Sequence, residues 1–392
     1  MKKLFLFVLI FVISTSHVLS FESEPQCQNS NFKPIYSFYN TNMLSTIAAG
    51  RGYTGTAALG NLSLTNLNPA SLNIAYNAQA YYEYGQKSDI TLAENTNNEI
   101  GLNVFKAGVC YGGAYRVNDK LQIGFSYNKI GSHEADLGVV HNYDTSGLIY
   151  ETFYLYEKVS QSKVSIPVSY LLNDRIRLGL GLDVALYSAK TSRVSRNMTT
   201  DQYENFKGKI DFVLFRPKFG VIGNVTDGLS LGMTFVPPTG KRIKEKVCWQ
   251  EIKYERNSFP MEFRAGTQYS FKNIPVTILA DYSFVNDAIN EEFVDRNDFH
   301  LGIEGSVLPF LQLRTGFYTQ YDNRDIGVYG DDGQLFWCDT NSYDQNFVSA
   351  GASIQWRKTS WDLAVMDSSL LSSGDLSQTY FKLGCTLELE NQ

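Results

Sequence analysis

Ile176-Arg177-Leu178-Gly179-Leu180-Gly181-Leu182-Asp183-Val184-Ala185-Leu186 puts an apolar side chain at every second position from Ile176 to Leu186, with Arg177, Gly179, Gly181 and Asp183 between them. Side chains of an extended chain point alternately to opposite faces, so this stretch reads as a strand with one apolar and one polar face. The split recurs at Ile274/Val276/Ile278/Ala280/Tyr282 against Thr277/Asp281/Ser283, and at Leu311/Leu313/Phe317 against Gln312/Arg314/Gln320. It recurs again at Phe381/Leu383/Leu387/Leu389 against Lys382/Gly384/Thr386/Glu388. A soluble sandwich alternates in the same way, so the pattern sets an all-β class without choosing within it.

The connections choose. Turn signals fall at Asn118-Asp119, Asn173-Asp174, Asp227-Gly228, Lys272-Asn273, Leu308-Pro309 and Lys358-Thr359, each between two strand-like runs. Longer polar connections lie near residues 87–102, 133–162, 192–206, 238–257, 286–297, 323–345 and 369–376. Six short turns alternating with seven long loops predict fourteen strands. Short turns on one side, long loops on the other and both chain ends on the short side describe a transmembrane β-barrel of the outer membrane. Aromatics near the strand ends, such as Tyr82, Tyr84, Tyr269, Phe271, Trp356 and Trp361, suit the lipid–water interface.

The N-terminus agrees with export. Lys2 and Lys3 precede ten apolar residues, Leu4 to Ile13, and then Ser14-Thr15-Ser16 and Val18-Leu19-Ser20. This reads as a signal peptide over residues 1–20, because ten helical residues fall short of a hydrocarbon core about 30 Å thick. No later apolar run is long enough for a membrane helix. Net charge is −6, which argues against nucleic acid as a partner. The five cysteines show no CxxC spacing and no metal-ligand pattern. Cys248 and Cys338, both in long loops, are candidates for a disulfide. Cys110 is expected to face the lumen and Cys385 the lipid. No GxSxG, HExxH or phosphate-cradling motif is present, so neither an enzyme nor a cofactor is expected.

Residues 21–75 precede the first strand, so the expected organisation is signal 1–20, N-terminal segment 21–75 and barrel 76–392. The small-residue run Ala48-Ala49-Gly50-Arg51-Gly52-Tyr53-Thr54-Gly55-Thr56-Ala57-Ala58 leads to Leu67-Asn68-Pro69-Ala70-Ser71-Leu72. With the strand phrases Phe263-Arg264-Ala265-Gly266, His300-Leu301-Gly302-Ile303-Glu304 and Leu313-Arg314-Thr315-Gly316-Phe317-Tyr318, it resembles the FadL/TodX family in order and length. That family consists of outer-membrane transporters for long-chain fatty acids and hydrocarbons. The resemblance implies a fourteen-stranded barrel with the N-terminal segment as a hatch inside the lumen. It also implies a monomer in the lipid bilayer that moves hydrophobic small molecules by passive diffusion. Asn-Pro-Ala also occurs in barrels resembling PorV, which implies the alternative of a non-transporting accessory barrel presenting its loops to a secreted partner.

Candidate site residues follow. Asn68, Pro69 and Ala70 are read either as a gating element of the hatch or as an ordinary turn. Arg264, Lys382 and Arg314 on the inward face are read either as partners for a ligand carboxylate or as members of a paired lumen network. Phe153 and Tyr154 belong to an apolar stretch, Leu148 to Tyr156, read as a ligand groove or as part of a long strand over 149–171. Strand 121–131 reads as regular. Irregularity is expected at Arg216 and Pro217, where a bulge would turn Arg216 away from lipid and return Phe219 and Val221 to the outer face.

Overall fold

The computed structural model describes residues 45–87, 90–95, 98–104, 107–143, 148–198, 202–247, 250–289, 293–323, 344–371 and 378–390. The signal over 1–20, residues 21–44, Cys27, Cys248 and Cys338 lie outside the described residues.

Eighteen strands follow in order. They are β1 (Ala78–Lys87), β2 (Ile90–Asn95), β3 (Asn98–Val104), β4 (Ala107–Arg116), β5 (Leu121–Tyr143), β6 (Ile149–Asn173), β7 (Ile176–Asn197), β8 (Gln202–Asn224) and β9 (Leu229–Val236). Then come β10 (Thr239–Val247), β11 (Gln250–Phe259), β12 (Glu262–Ser270), β13 (Val276–Val285), β14 (Arg296–Leu308), β15 (Leu311–Gln320), β16 (Gln345–Trp356), β17 (Thr359–Asp367) and β18 (Thr379–Leu389). Sixteen strands join in one sheet, and the pairing of β5 with β6 closes it. Because β2 and β3 form a hairpin appended to β5, the closed ring contains fourteen antiparallel strands. β10 and β11 pair only with each other. Closure leaves the ring without a terminal strand.

The alternation works as expected along β7. Ile176, Leu178, Leu180 and Leu182 are exposed on the outside, while Arg177 and Asp183 are buried inside. Phe299, Leu301 and Ile303 are exposed on β14, and His300 between them is buried. Lys382 on β18 is fully buried, and its neighbour Phe381 is exposed. Cys110 is buried with Leu62, Leu72 and Tyr81, away from Cys385.

Three local expectations are corrected. The connections expected over 133–162 and 192–206 are mostly strand, as are those over 87–102 and 238–257, which hold the β2–β3 and β10–β11 hairpins; β6 matches the long-strand alternative for 149–171, β5 pairs with it as far as Tyr143↔Ile149, and β7 pairs with β8 as far as Asn197↔Gln202. Their hydrogen-bonded ladders simply continue beyond the apolar band, which polarity alone does not reveal. No bulge forms at Phe215-Arg216-Pro217. The β7–β8 register is unbroken, with Arg216 opposite Asp183 and Pro217 opposite Leu182. Arg216 points inward because Leu214 does too; Leu214 is buried, and Phe215 and Phe219 are the exposed residues. On its other side β8 pairs with β9 only from Phe219↔Phe235 to Asn224↔Ser230. Finally, β5 is not regular. Its pairing with β6 passes from Ile123↔Val168 to Ser126↔Ser165, omitting Gly124 and Phe125, and shifts register between Lys129 and Gly131. Pro167 lies in that gap, and a proline has no N–H to give the ladder.

Candidate functional site in the barrel interior

The segment Ser45–Ala75 packs against the inward faces of the strands through its backbone. It contains a short helix, Thr46–Gly50, and two 3-10 turns, Leu62–Asn66 and Pro69–Ser71. Inward carboxylates capture its free amides. Asp281 accepts from the N–H groups of Gly55 and Thr56, each at 3.0 Å, and from the Thr56 hydroxyl at 2.6 Å. Glu83 accepts from Ser45 N–H at 3.0 Å and from Thr46 N–H. Arg51 donates to Glu304 at 3.2 Å, and the His300 ring meets the Gly52 carbonyl at 3.0 Å.

The Asn-Pro-Ala turn is tied on every side. The Asn68 oxygen accepts from Ala70 N–H at 2.9 Å, and its amide donates to the carbonyls of Thr56, Val221 and Met233 at 2.7, 3.2 and 3.3 Å. Opposite the turn, a Cβ on Gly220 would fall 2.0 Å from the Asn68 oxygen, and one on Gly179 would fall 2.1 Å from Ala70 N. The strand wall carries glycine there because the turn, by its backbone at Gly179 and by the Asn68 and Pro69 side chains at Gly220, occupies the space of a side chain. On the opposite wall, Tyr318 stacks on Phe347 at 4.7 Å and on His300 at 5.8 Å, covering Ala48 and Ala49.

Between Tyr53–Leu67 and strands β6 to β15 lies a cavity of about 180 Å³. Lys163, Arg216, Lys218, Arg264 and Arg296 line it with Asp183, Glu262, Asp287 and Asp298. Leu67, Val236, Phe259 and Val285 form its apolar parts. Arg216 pairs with Glu262 at 2.9 Å and Arg296 with Asp298 at 3.1 Å, while Asp183 faces both Lys163 at 3.4 Å and Lys218 at 3.3 Å. Asp287 lies beyond the strands, and its burial pushes the carboxyl up to about 6.

Among solved structures the chain is similar to the toluene transporter TodX of P. putida, at 12% identity and a TM-score of 0.63, with 90% of this chain and 100% of that one covered. It is similar to the toluene transporter TbuX of Ralstonia pickettii, at 13% identity and a TM-score of 0.60, with 90% and 100% covered. A Pseudomonas aeruginosa FadL homologue matches at 14% identity and a TM-score of 0.61, with 88% and 98% covered. The fold is that of FadL and TodX. No protein-family model matches the chain, and no curated protein does.

Within this FadL/TodX fold the three candidate cations have different surroundings. Arg264 borders the cavity, donates to the Tyr53 carbonyl at 2.7 Å and lies 3.5 Å from Asp281. Arg314 is bound to Glu304 at 2.6 Å, to Gln312 at 2.8 Å and to Ser353. Lys382 lies 3.8 Å from Glu83. Arg314 and Lys382 do not line the cavity. Phe153 and Tyr154 pair with Val140 and Val139 in the β5–β6 ladder, and their side chains lie outside the described residues. Sequence reasoning missed Lys163, Lys218 and Glu262. Lys163 stood at the edge of a stretch read as loop, and Lys218 followed the bulge expected at Arg216 and Pro217, with no role assigned to it. The alternation Lys163-Val164-Ser165-Ile166 was the available signal for Lys163.

Proposed function

We propose that the protein is an outer-membrane channel of the FadL/TodX type, through which hydrophobic small molecules move by passive diffusion without a cofactor. In this reading residues 1–20 are the signal peptide, residues 21–75 the hatch and the fourteen strands a transmembrane wall around a monomeric pore. The observation that carries it is the inside-out distribution of side chains. Large apolar residues such as Leu180, Phe219, Met233, Leu301, Leu363 and Phe381 are exposed on the outer face of successive strands, while charges are buried within. Water does not tolerate so extended an apolar exterior, whereas a bilayer needs it, together with a backbone that satisfies its own hydrogen bonds.

The interior contributes positioning rather than bond chemistry. Asp281, Glu83 and Arg264 hold the N-terminal segment by its backbone and Glu304 holds it by the Arg51 side chain, so a path opens when these bonds exchange or a ligand passes beside them. Arg264 and Asn68 in this reading are gating residues. The test is flux of toluene and of palmitate into proteoliposomes containing the full-length protein, against empty liposomes. Flux above background that needs no energy source supports the channel. Background flux for every hydrophobic probe moves the function to an accessory barrel that displays its loops to a secreted partner.

A further inference from the structure

Resting on the channel reading, we propose that the cavity above Tyr53–Leu67 binds a small amphipathic carboxylate, a carboxyl group on a single ring or a short acyl chain, in preference to a neutral hydrocarbon or a long-chain acid. The cavity's ion pairs are unequal. Arg216 has Glu262 at 2.9 Å and Arg296 has Asp298 at 3.1 Å, one carboxylate each. Lys163 and Lys218 share the carboxylate of Asp183, Lys218 also donating to the Asn66 carbonyl at 3.1 Å, and both lysines are buried. Together with Arg216 and Glu262 beside them, three cations face two carboxylates, and the excess positive charge of this corner is costly to bury unless an anion joins it.

Leu67, Val236 and Phe259 supply a surface for the apolar body. Size sets the limit. The volume of about 180 Å³ is below the roughly 300 Å³ at which drug-sized pockets begin, so one ring or a short chain fills it and a long chain extends beyond it. A neutral hydrocarbon would fill the space and bring no charge to the lysine pair.

The test is calorimetric titration of the full-length protein in mild detergent with benzoate, octanoate, toluene and palmitate. The expected result is saturable one-to-one binding of benzoate or octanoate, weakened by salt, that neither toluene nor palmitate displaces; the two acids decide between ring and chain. Lys163→Met with Lys218→Met should weaken that binding about tenfold or more. Asp183→Asn should tighten it several-fold by removing the competing carboxylate, a gain that misfolding cannot produce. Absence of saturable binding of both acids, or binding unchanged in both variants, overturns the proposal. If toluene or palmitate crosses proteoliposomes while neither acid binds, the carboxylate site falls and the channel stands. Background flux for every probe, with no acid bound, removes both.

Discussion

A single amide ties the Asn-Pro-Ala turn to three stretches of backbone. Asn68 caps its own turn at Ala70 and reaches the carbonyls of Thr56, Val221 and Met233. Alanine there would leave buried carbonyls unpaired, at a cost of about 1–3 kcal/mol. Asn68→Ala is therefore expected to speed amide exchange across residues 53–72 while β13 to β18 keep their protection, as followed by mass spectrometry. Equal exchange in the two proteins would assign the tie to the remaining contacts. Asp287 is the residue whose pH response can be signed. Its folded-state value of about 6 lies above the ordinary carboxylate value, so the folded loop favours the protonated form. Its stabilisation is complete below about pH 4 and is lost as pH rises through about 6. Protection of the amides of Asn286–Ile289 and Phe293–Arg296, taken relative to their intrinsic exchange rates, should fall between pH 4.5 and 7.5, and Asp287→Asn should flatten that dependence.

At the scale of the element, β8 shows why a strand can be misread while its existence is read correctly. Pro217 forbids a donated bond, and a lone Arg216 following Leu214 suggested that the chain had to slip by one residue. The structure resolves the conflict by turning Leu214 inward, so Phe215 and Phe219 hold the outer face without a bulge. What Pro217 marks instead is the end of the β8–β9 ladder. One step beyond Phe219↔Phe235 and a second beyond that would bring Pro217 opposite Pro237, and neither can donate. Amides of Gln202–Lys218 that face away from β7 are thus expected to exchange faster than those of Phe219–Asn224. Uniform protection along β8 would show that the β10–β11 hairpin completes the wall there.

The whole molecule behaves as one closed sheet, and its resistance to unfolding should be collective. A closed ring of fourteen strands has no terminal strand from which to fray. The purified protein is expected to run faster on a denaturing gel when left unheated than after boiling, by a shift that Arg264→Ala preserves. Identical mobility would point away from a closed barrel. Separately, loss of the Arg264 bond to the Tyr53 carbonyl should raise toluene flux in liposomes, because it loosens the segment without opening the wall.

Alternation in β7, β13, β15 and β18, together with six short turns and seven longer connections, was enough to determine the number of strands in the ring, the inside and outside of those four strands, and the inward position of Arg177, Asp281, Arg314 and Lys382. Those properties are local: side-chain direction has a period of two, and turn chemistry acts over four residues. Which charges meet was not legible. Lys163, Asp183 and Lys218 lie on three neighbouring strands, and their convergence depends on register between segments that share no local signal. The same holds for Asn68, whose partners Val221 and Met233 are more than 150 positions away in the chain. Only closure of the barrel around Ser45–Ala75 brings these groups within hydrogen-bond reach, and it therefore decides that most inward charges hold the chain to itself while one pair of lysines is left short of an anion.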